Sequence, residues 1–202
     1  MKHACITILA KAPVAGFAKT RLIPALGPDG AAALAQKLLD HTVAQTVAAG
    51  LGEVRLLGAP DASHPALQRH AGQVQLGAQA DGDLGQRMHR ALDDALSHHA
   101  LALLVGTDAP ALNHHMLRQA AQALAQHDAV FVPALDGGYA LVGLRGQSRP
   151  ELFEAMTWST AQVMCETRQR LMRAGLRWAE LDAVGDIDEP GDLRHLPAGW
   201  LA

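Results

Sequence analysis

Short apolar runs alternate along this chain with longer stretches that turn apolar only every third or fourth residue. The first run, residues 3–10, reads as a buried strand, and runs at 53–58, 73–76, 101–106, 129–133, 138–144 and 176–181 read the same way. Residues 29–49 are rich in Ala, Leu and Gln with helical spacing, and a shorter helix is expected over 63–71. Residues 84–98 form an amphipathic pattern with Leu84, Met88, Leu92 and Leu96 along one face. Further helices are expected over 114–126 and 161–174. Strands this short, alternating with helices, imply βαβ crossovers and a mostly parallel sheet covered on both faces. No linker, repeat or low-complexity stretch interrupts the pattern, so one α/β domain over residues 1–202 is expected.

Composition narrows the function classes. The chain has 202 residues, 49% of them hydrophobic, enough for a full core and too many for a disordered segment. Seventeen Lys and Arg against twenty Asp and Glu leave a net charge of −3, which offers no basic footprint for nucleic acid. No apolar run approaches the ~20 residues of a membrane span. The stretch 6–10 ends at Lys11, too short for a signal-peptide core, and no basic leader precedes it beyond Lys2. A soluble, cytoplasmic protein is expected, with neither nucleic acid nor membrane as partner. Cys5 and Cys165 have no metal-ligand spacing and are expected to be small buried residues. The adjacent pairs His98–His99 and His114–His115 point apart on a helix, so they are expected at the surface rather than as chelates. Lysine is scarce: of Lys2, Lys11, Lys19 and Lys37, two fall in one loop.

Ligands of open α/β sheets bind beyond the carboxyl ends of the strands, so residues just after each strand carry the chemistry. The first such loop, KAPVAGFAKTR, holds Lys11, Lys19 and Arg21 with Pro13 to stiffen it and Gly16 to let backbone approach a ligand. Three cations at a strand end suit a di- or triphosphate, with Arg21 as a bidentate fork. The loop is neither a Walker A sequence nor GxGxxG, and the alternative is a solvated basic loop. After the strand at 101–106, GTDAP presents Asp108, either a divalent-cation ligand or a cap for the next helix. Asp136-Gly137-Gly138-Tyr139 could bind an acceptor or a sugar, or be an ordinary Asp-Gly turn. In GDIDEPGD, Asp186 and Asp188 share a side if extended, and one of them could be the second cation ligand. Asp83 and Arg87, in DGDLGQR, could reach a nucleotide or cap the helix, and Trp158 could stack on a ring.

Basic residues on one strand-end loop and acidic ones on later loops suit a nucleotide diphosphate with Mg²⁺ or Mn²⁺. Taken in order, KAPVAGFAKTRL, ADGDLGQRM, VGTDAP, PALDGGYALVGL, WST and GDIDEPGDL resemble a bacterial family of nucleotide-diphospho-sugar transferase-like proteins. That family was long a domain of unknown function, and some members are named arsenosugar-biosynthesis glycosyltransferases. The resemblance runs from about residue 6 to residue 193. It implies a single-domain, three-layer glycosyltransferase-A-type fold with a Rossmann-like sheet. It implies Lys11, Lys19 and Arg21 at the phosphates, Asp108 on a metal, and Asp186 or Asp188 as its partner. GTDAP departs from the DxD pair of such folds, and the first loop lacks a glycine-rich opening.

The expected function is a metal-dependent transferase with a nucleotide-sugar donor and a small-molecule acceptor. Lys19 would stabilise developing charge and Asp136 would orient or deprotonate the acceptor hydroxyl. Two alternatives stay open: a nucleotidylyltransferase releasing pyrophosphate, and a non-catalytic nucleotide-binding module. Base, sugar, acceptor and oligomeric state are not encoded in any motif.

Overall fold

The structure is a computed structural model that describes residues 4–201. One sheet contains strands β1 (Ala4–Lys11), β2 (Gly52–Ala59), β3 (Gln75–Ala78), β4 (Leu101–Val105), β5 (Ala129–Pro133), β6 (Tyr139–Arg145) and β7 (Trp178–Glu180). Their order is 3-2-1-4-6-5-7. Every pairing is parallel except those of β6, which runs antiparallel to both β4 and β5. The helices are α1 (Ile23–Ala49), α2 (Pro65–Gln68), α3 (Leu84–Leu96), α4 (His114–Ala123) and α5 (Val163–Arg173).

Two apolar layers flank the sheet, because side chains alternate along a strand and helices cover both faces. Ile6, Ile8, Leu103, Val105, Val130 and Val132 pack with Leu39 and Val43 of α1 and Leu117 and Ala120 of α4. Cys5, Ala102, Leu104, Phe131 and Val142 pack on the other face with Met88 and Leu92 of α3 and Leu171 of α5. The expected α/β, mostly parallel, three-layer architecture is therefore present.

The departures from the sequence reading have local causes. The expected helix over 29–49 is the second limb of α1, which is kinked at Gly27 (φ 70°) ahead of Pro28. Its first limb carries no periodic signal long enough to read. The helix expected over 63–71 shrinks to α2, whose start is capped by the His64 ring accepting from the Ala66 amide. Cys5 is buried as expected, but Cys165 is exposed on the outer side of α5, which corrects its reading as a core residue. Among the described residues no helix is long and apolar enough to cross a membrane.

α3 begins with a complete capping box: the Asp83 carboxylate accepts from the Gln86 amide at 2.9 Å, and the Gln86 side chain accepts from the Asp83 amide at 3.0 Å. Asp83→Ala removes one half of this exchange. It is expected to cost about 1 kcal/mol in chemical denaturation.

The register fixes where the site can lie. Ile8 of β1 pairs with Val105 of β4, and Lys11 with Ala59 of β2, so the parallel strands end along one edge. β5 ends there too, and β6 starts there after the turn at 134–138. Beyond β7 the chain returns to the same edge through a parallel bridge between Ala134 and Val184.

Candidate functional site

Three of those edge segments meet at one ammonium. Lys19 Nζ donates to Asp188 Oδ1 at 2.8 Å and to the Ile187 carbonyl at 2.6 Å, and pairs with Asp108 Oδ1. The Lys19 side chain is only 9% exposed, whereas those of Asp108 and Asp188 are 47% and 41% exposed. Burial alone would lower the Lys19 pKa, but the charges of Asp108 and Asp188 and their hydrogen bonds raise it overall. Lys19 therefore stays charged and links the loop after β1, the loop after β4 and the C-terminal segment.

Local structure explains the convergence. Lys19 takes a left-handed backbone (φ 48°, ψ 47°) before the 3-10 turn Thr20–Leu22. Leu22 is fully buried with Ala31, Leu34, Leu38 and Ile187, which anchors the turn on α1. Ile187 anchors the other side: its side chain is fully buried and its amide donates to the Asp108 carbonyl at 2.9 Å. The 3-10 helix Pro190–His195 then begins with Asp192 Oδ2 accepting from the amides of Asp188 and Glu189. Ile187→Ala should leave a cavity under both Lys19 and Asp188. Chemical denaturation is expected to show a loss of about 2–4 kcal/mol.

Asp186 lies on the other side of Ile187. Burial first, then the nearby carboxylates of Asp136, Asp188 and Asp192, push its pKa up to about 6. Asp136 belongs to the turn before β6, and its Oδ1 accepts from the Gly138 amide at 2.8 Å. Gly137 has φ 94°, and its carbonyl accepts from the Met164 amide at 2.8 Å. The turn is thus clamped against the start of α5.

The remaining sequence candidates divide clearly. Lys11, Gly16 (φ 81°) and Arg21 are exposed on the first loop, with Pro13 half-buried beside them. The loop therefore displays two cations to solvent and turns the third, Lys19, inward onto carboxylates. Asp83 caps α3, and Arg87 Nε donates to the Gly82 carbonyl at 2.8 Å, so both brace the start of that helix. The Tyr139 ring meets Phe131 edge-on at 5.2 Å and Trp158 at 6.4 Å. Burial pushes the Tyr139 phenol well above its usual pKa. Trp158 packs on Gly85, where a Cβ would lie 2.8 Å from the indole nitrogen; among the described residues that buried nitrogen has no hydrogen-bond partner.

Sequence reasoning missed Ile187, whose only signal was an apolar residue between two aspartates in GDIDEP. It also missed Phe17 (80% exposed) and Leu135 (73% exposed), large apolar side chains on the loops after β1 and β5. Chain position alone did not distinguish them from core residues.

The residues suit a hard cation in one particular way. Asp108 and Asp188 direct Oδ1 atoms at one point where the Lys19 ammonium stands in for a cation. Mg²⁺ is commonly held by one or two carboxylates with substrate phosphates completing its shell. Among the described residues no group of three or more His, Cys, Asp or Glu forms a closed metal cage. Two carboxylates alone would hold such a cation only with substrate phosphates completing its shell.

Comparisons with known proteins agree with this architecture. A candidate nucleotide-diphospho-sugar transferase from Desulfovibrio desulfuricans G20, solved at 1.90 Å, superposes with a TM-score of 0.86 at 29% identity, over 94% of this chain and 84% of that one. A nucleotidyl transferase from Methanothermobacter thermautotroptrophicus matches at TM-score 0.65 and 15% identity, over 100% and 99% of the two chains. CMP:2-keto-3-deoxy-manno-octonic acid synthetase complexed with CTP matches at 0.59 and 15%, over 96% of each chain. At those identities the last two share the fold. No curated protein shows a significant sequence match. The model of one protein family, described as uncharacterized protein conserved in bacteria (DUF2064), matches residues 42–160. That stretch is more than half of the chain and includes Asp108, Asp136 and Trp158; the chain belongs to the DUF2064 family.

Proposed function

We propose that this protein is a transferase that takes a glycosyl group from a nucleotide-sugar donor, with Mg²⁺ or Mn²⁺ held by Asp108 and Asp188. The observation that carries the reading is the convergence of these two carboxylates on one cation-filled point at the carboxyl edge of β1 and β4. The likeness to the Desulfovibrio candidate nucleotide-diphospho-sugar transferase supports it. Lys11 and Arg21, exposed on the first loop, bind the donor's diphosphate. A bound cation would supply neutralisation of charge on the departing diphosphate. Asp136, whose carboxylate is oriented by the Gly138 amide, accepts the proton of the acceptor hydroxyl. The acceptor oxygen bonds to the anomeric carbon, the carbon–oxygen bond to the diphosphate breaks, and the nucleoside diphosphate leaves with that electron pair. Phe17 and Leu135, exposed on the loops after β1 and β5, would offer apolar surface to the base or the acceptor.

A second reading, transfer of a nucleotidyl group with release of pyrophosphate, draws on the sheet shared with the nucleotidyl transferase and with the CTP-bound synthetase. The same cations would hold a triphosphate. Product analysis separates the two: a nucleoside diphosphate from a sugar nucleotide, or pyrophosphate from a nucleoside triphosphate.

The first test is a thermal-shift screen of nucleoside triphosphates and nucleotide sugars with and without Mn²⁺. A true ligand at a hundredfold excess over Kd should add ~2.7 kcal/mol of stability. A protein whose melting ignores every nucleotide under both conditions would sink both readings.

A further inference from the structure

An ammonium group has three N–H donors, and all three of Lys19 are in use, on Asp108, Asp188 and the Ile187 carbonyl. In this arrangement the ammonium has no donor left for a phosphate. Nor can a divalent cation take the position facing both Oδ1 atoms while a positive charge fills it. No hydrogen bond among the described residues reaches Oδ2 of Asp108 or of Asp188, so each carboxylate retains acceptor capacity. Asp108 and Asp188 are nearly half exposed, which leaves a path from solvent to the pair.

We propose that Lys19 is the resident counter-ion of the Asp108–Asp188 pair, and that a divalent cation takes its place and frees the ammonium for the donor's diphosphate. The inference rests on the metal-assisted reading above and adds to it a defined exchange of charges. Without ligand, Lys19 offsets one of the two carboxylate charges, which lowers their mutual repulsion and leaves the cluster with a net negative charge. When the exchange occurs, positive charge is moved rather than lost: the carboxylates keep a cation, and the phosphates gain one.

Ala18 and Leu22 are buried on either side of Lys19, so its backbone is anchored while the four-carbon side chain can change rotamer. Lys11 and Arg21 are exposed at the two ends of the same loop. They give the diphosphate a first landing point before Lys19 is released. Lys19 is thus a positioning residue for the carboxylate pair and becomes a phosphate ligand only after the exchange.

The test uses Mn²⁺ alone, followed by calorimetry and by water-proton relaxation. Wild type is expected to bind it weakly. Lys19→Gln and Lys19→Met, which remove the competing charge, are expected to bind it about tenfold or more tightly. Lys19→Arg keeps the charge and should bind as weakly as wild type. In thermal melts without metal, the two neutral variants should unfold at lower temperature, and Mn²⁺ should restore them at concentrations too low to shift wild type. Equal Mn²⁺ affinity in wild type and the folded neutral variants overturns the proposal. If the neutral variants do not fold, amine acylation of wild type, read by mass spectrometry, decides instead. Saturating Mn²⁺ should speed modification of Lys19 relative to Lys11, and an unchanged ratio overturns the proposal.

Failure of the exchange is distinguishable from failure of the site. Suppose wild type binds Mn²⁺ in the presence of CDP or UDP, Asp108→Asn does not, and the neutral Lys19 variants gain nothing. The exchange is then wrong and the metal site stands. If no protein binds Mn²⁺ with or without CDP or UDP, the metal site falls and the exchange falls with it.

Discussion

Asp108→Asn should lower turnover by about 10²–10³, the usual effect of removing one preorganised electrostatic group from a site where charge develops. The substitution is nearly isosteric and keeps an oxygen facing Lys19, so the loop after β4 should hold its shape. What it removes is one of two charges on the cation-binding point. The measurement is release of nucleoside diphosphate from whichever nucleotide sugar the thermal screen identifies, at saturating Mn²⁺. The metal-dependent part of the thermal shift should vanish with it. A modest stability loss accompanies this, because Lys19 is buried and keeps only Asp188 as a charged partner. Half-exposure of Asp108 limits that loss to about 1–2 kcal/mol, well below the cost of breaking a fully buried pair. Undiminished turnover, or an undiminished metal-dependent shift, would remove Asp108 from the site.

Gly137→Ala should be the most destabilising single methyl in the turn that carries Asp136. A Cβ there would lie 2.3 Å from the Ala161 carbonyl oxygen and 2.6 Å from the Ala161 Cα, and both are backbone atoms that cannot rotate away. The φ of 94° adds a conformational cost for any side chain. Together these should cost about 3 kcal/mol or more. For a chain of this size, that lowers Tm by roughly 10 °C. Gly146→Ala is the control: φ is 78°, but nothing lies within 4 Å of the added Cβ, so only the conformational cost applies. That control should lose about 1–2 kcal/mol. If the two variants melt alike, the clamp between Gly137 and Ala161 is not tight. If Gly137→Ala folds but loses acceptor-dependent turnover, the turn's role in orienting Asp136 is supported.

Much of this architecture is legible in the sequence because it is local. A buried parallel strand needs a short continuous apolar run, and residues 101–105 and 129–133 show just that. The amphipathic stripe Leu84–Met88–Leu92–Leu96 specifies α3 by spacing alone. Where two local signals competed, the reading was less sharp. Asp83 could serve a nucleotide or cap a helix, and its position three residues ahead of Gln86 matches the reciprocal cap found. The helix expected over 29–49 is the second limb of a longer α1 that is kinked at Gly27 ahead of Pro28. Cys165 has no periodic marker that separates an outer helical position from an inner one, and packing of α5 alone turned it outward.

The chain itself, then, determined the alternation of strands and helices, the single sheet covered on both faces, and which loops emerge where chemistry is possible. It also determined the residue types on those loops: cations after β1, carboxylates after β4, β5 and β7. Tertiary structure alone decided that β6 inserts antiparallel between β4 and β5. It alone decided that Lys19 turns inward to Asp188, 169 residues away, while Lys11 and Arg21 face solvent. The reason is physical. Propensity and periodicity act over a few residues, whereas the Lys19 pairing depends on Leu22 and Ile187 being buried together against α1. Only that shared burial selects, among several carboxylates, the two that meet the ammonium.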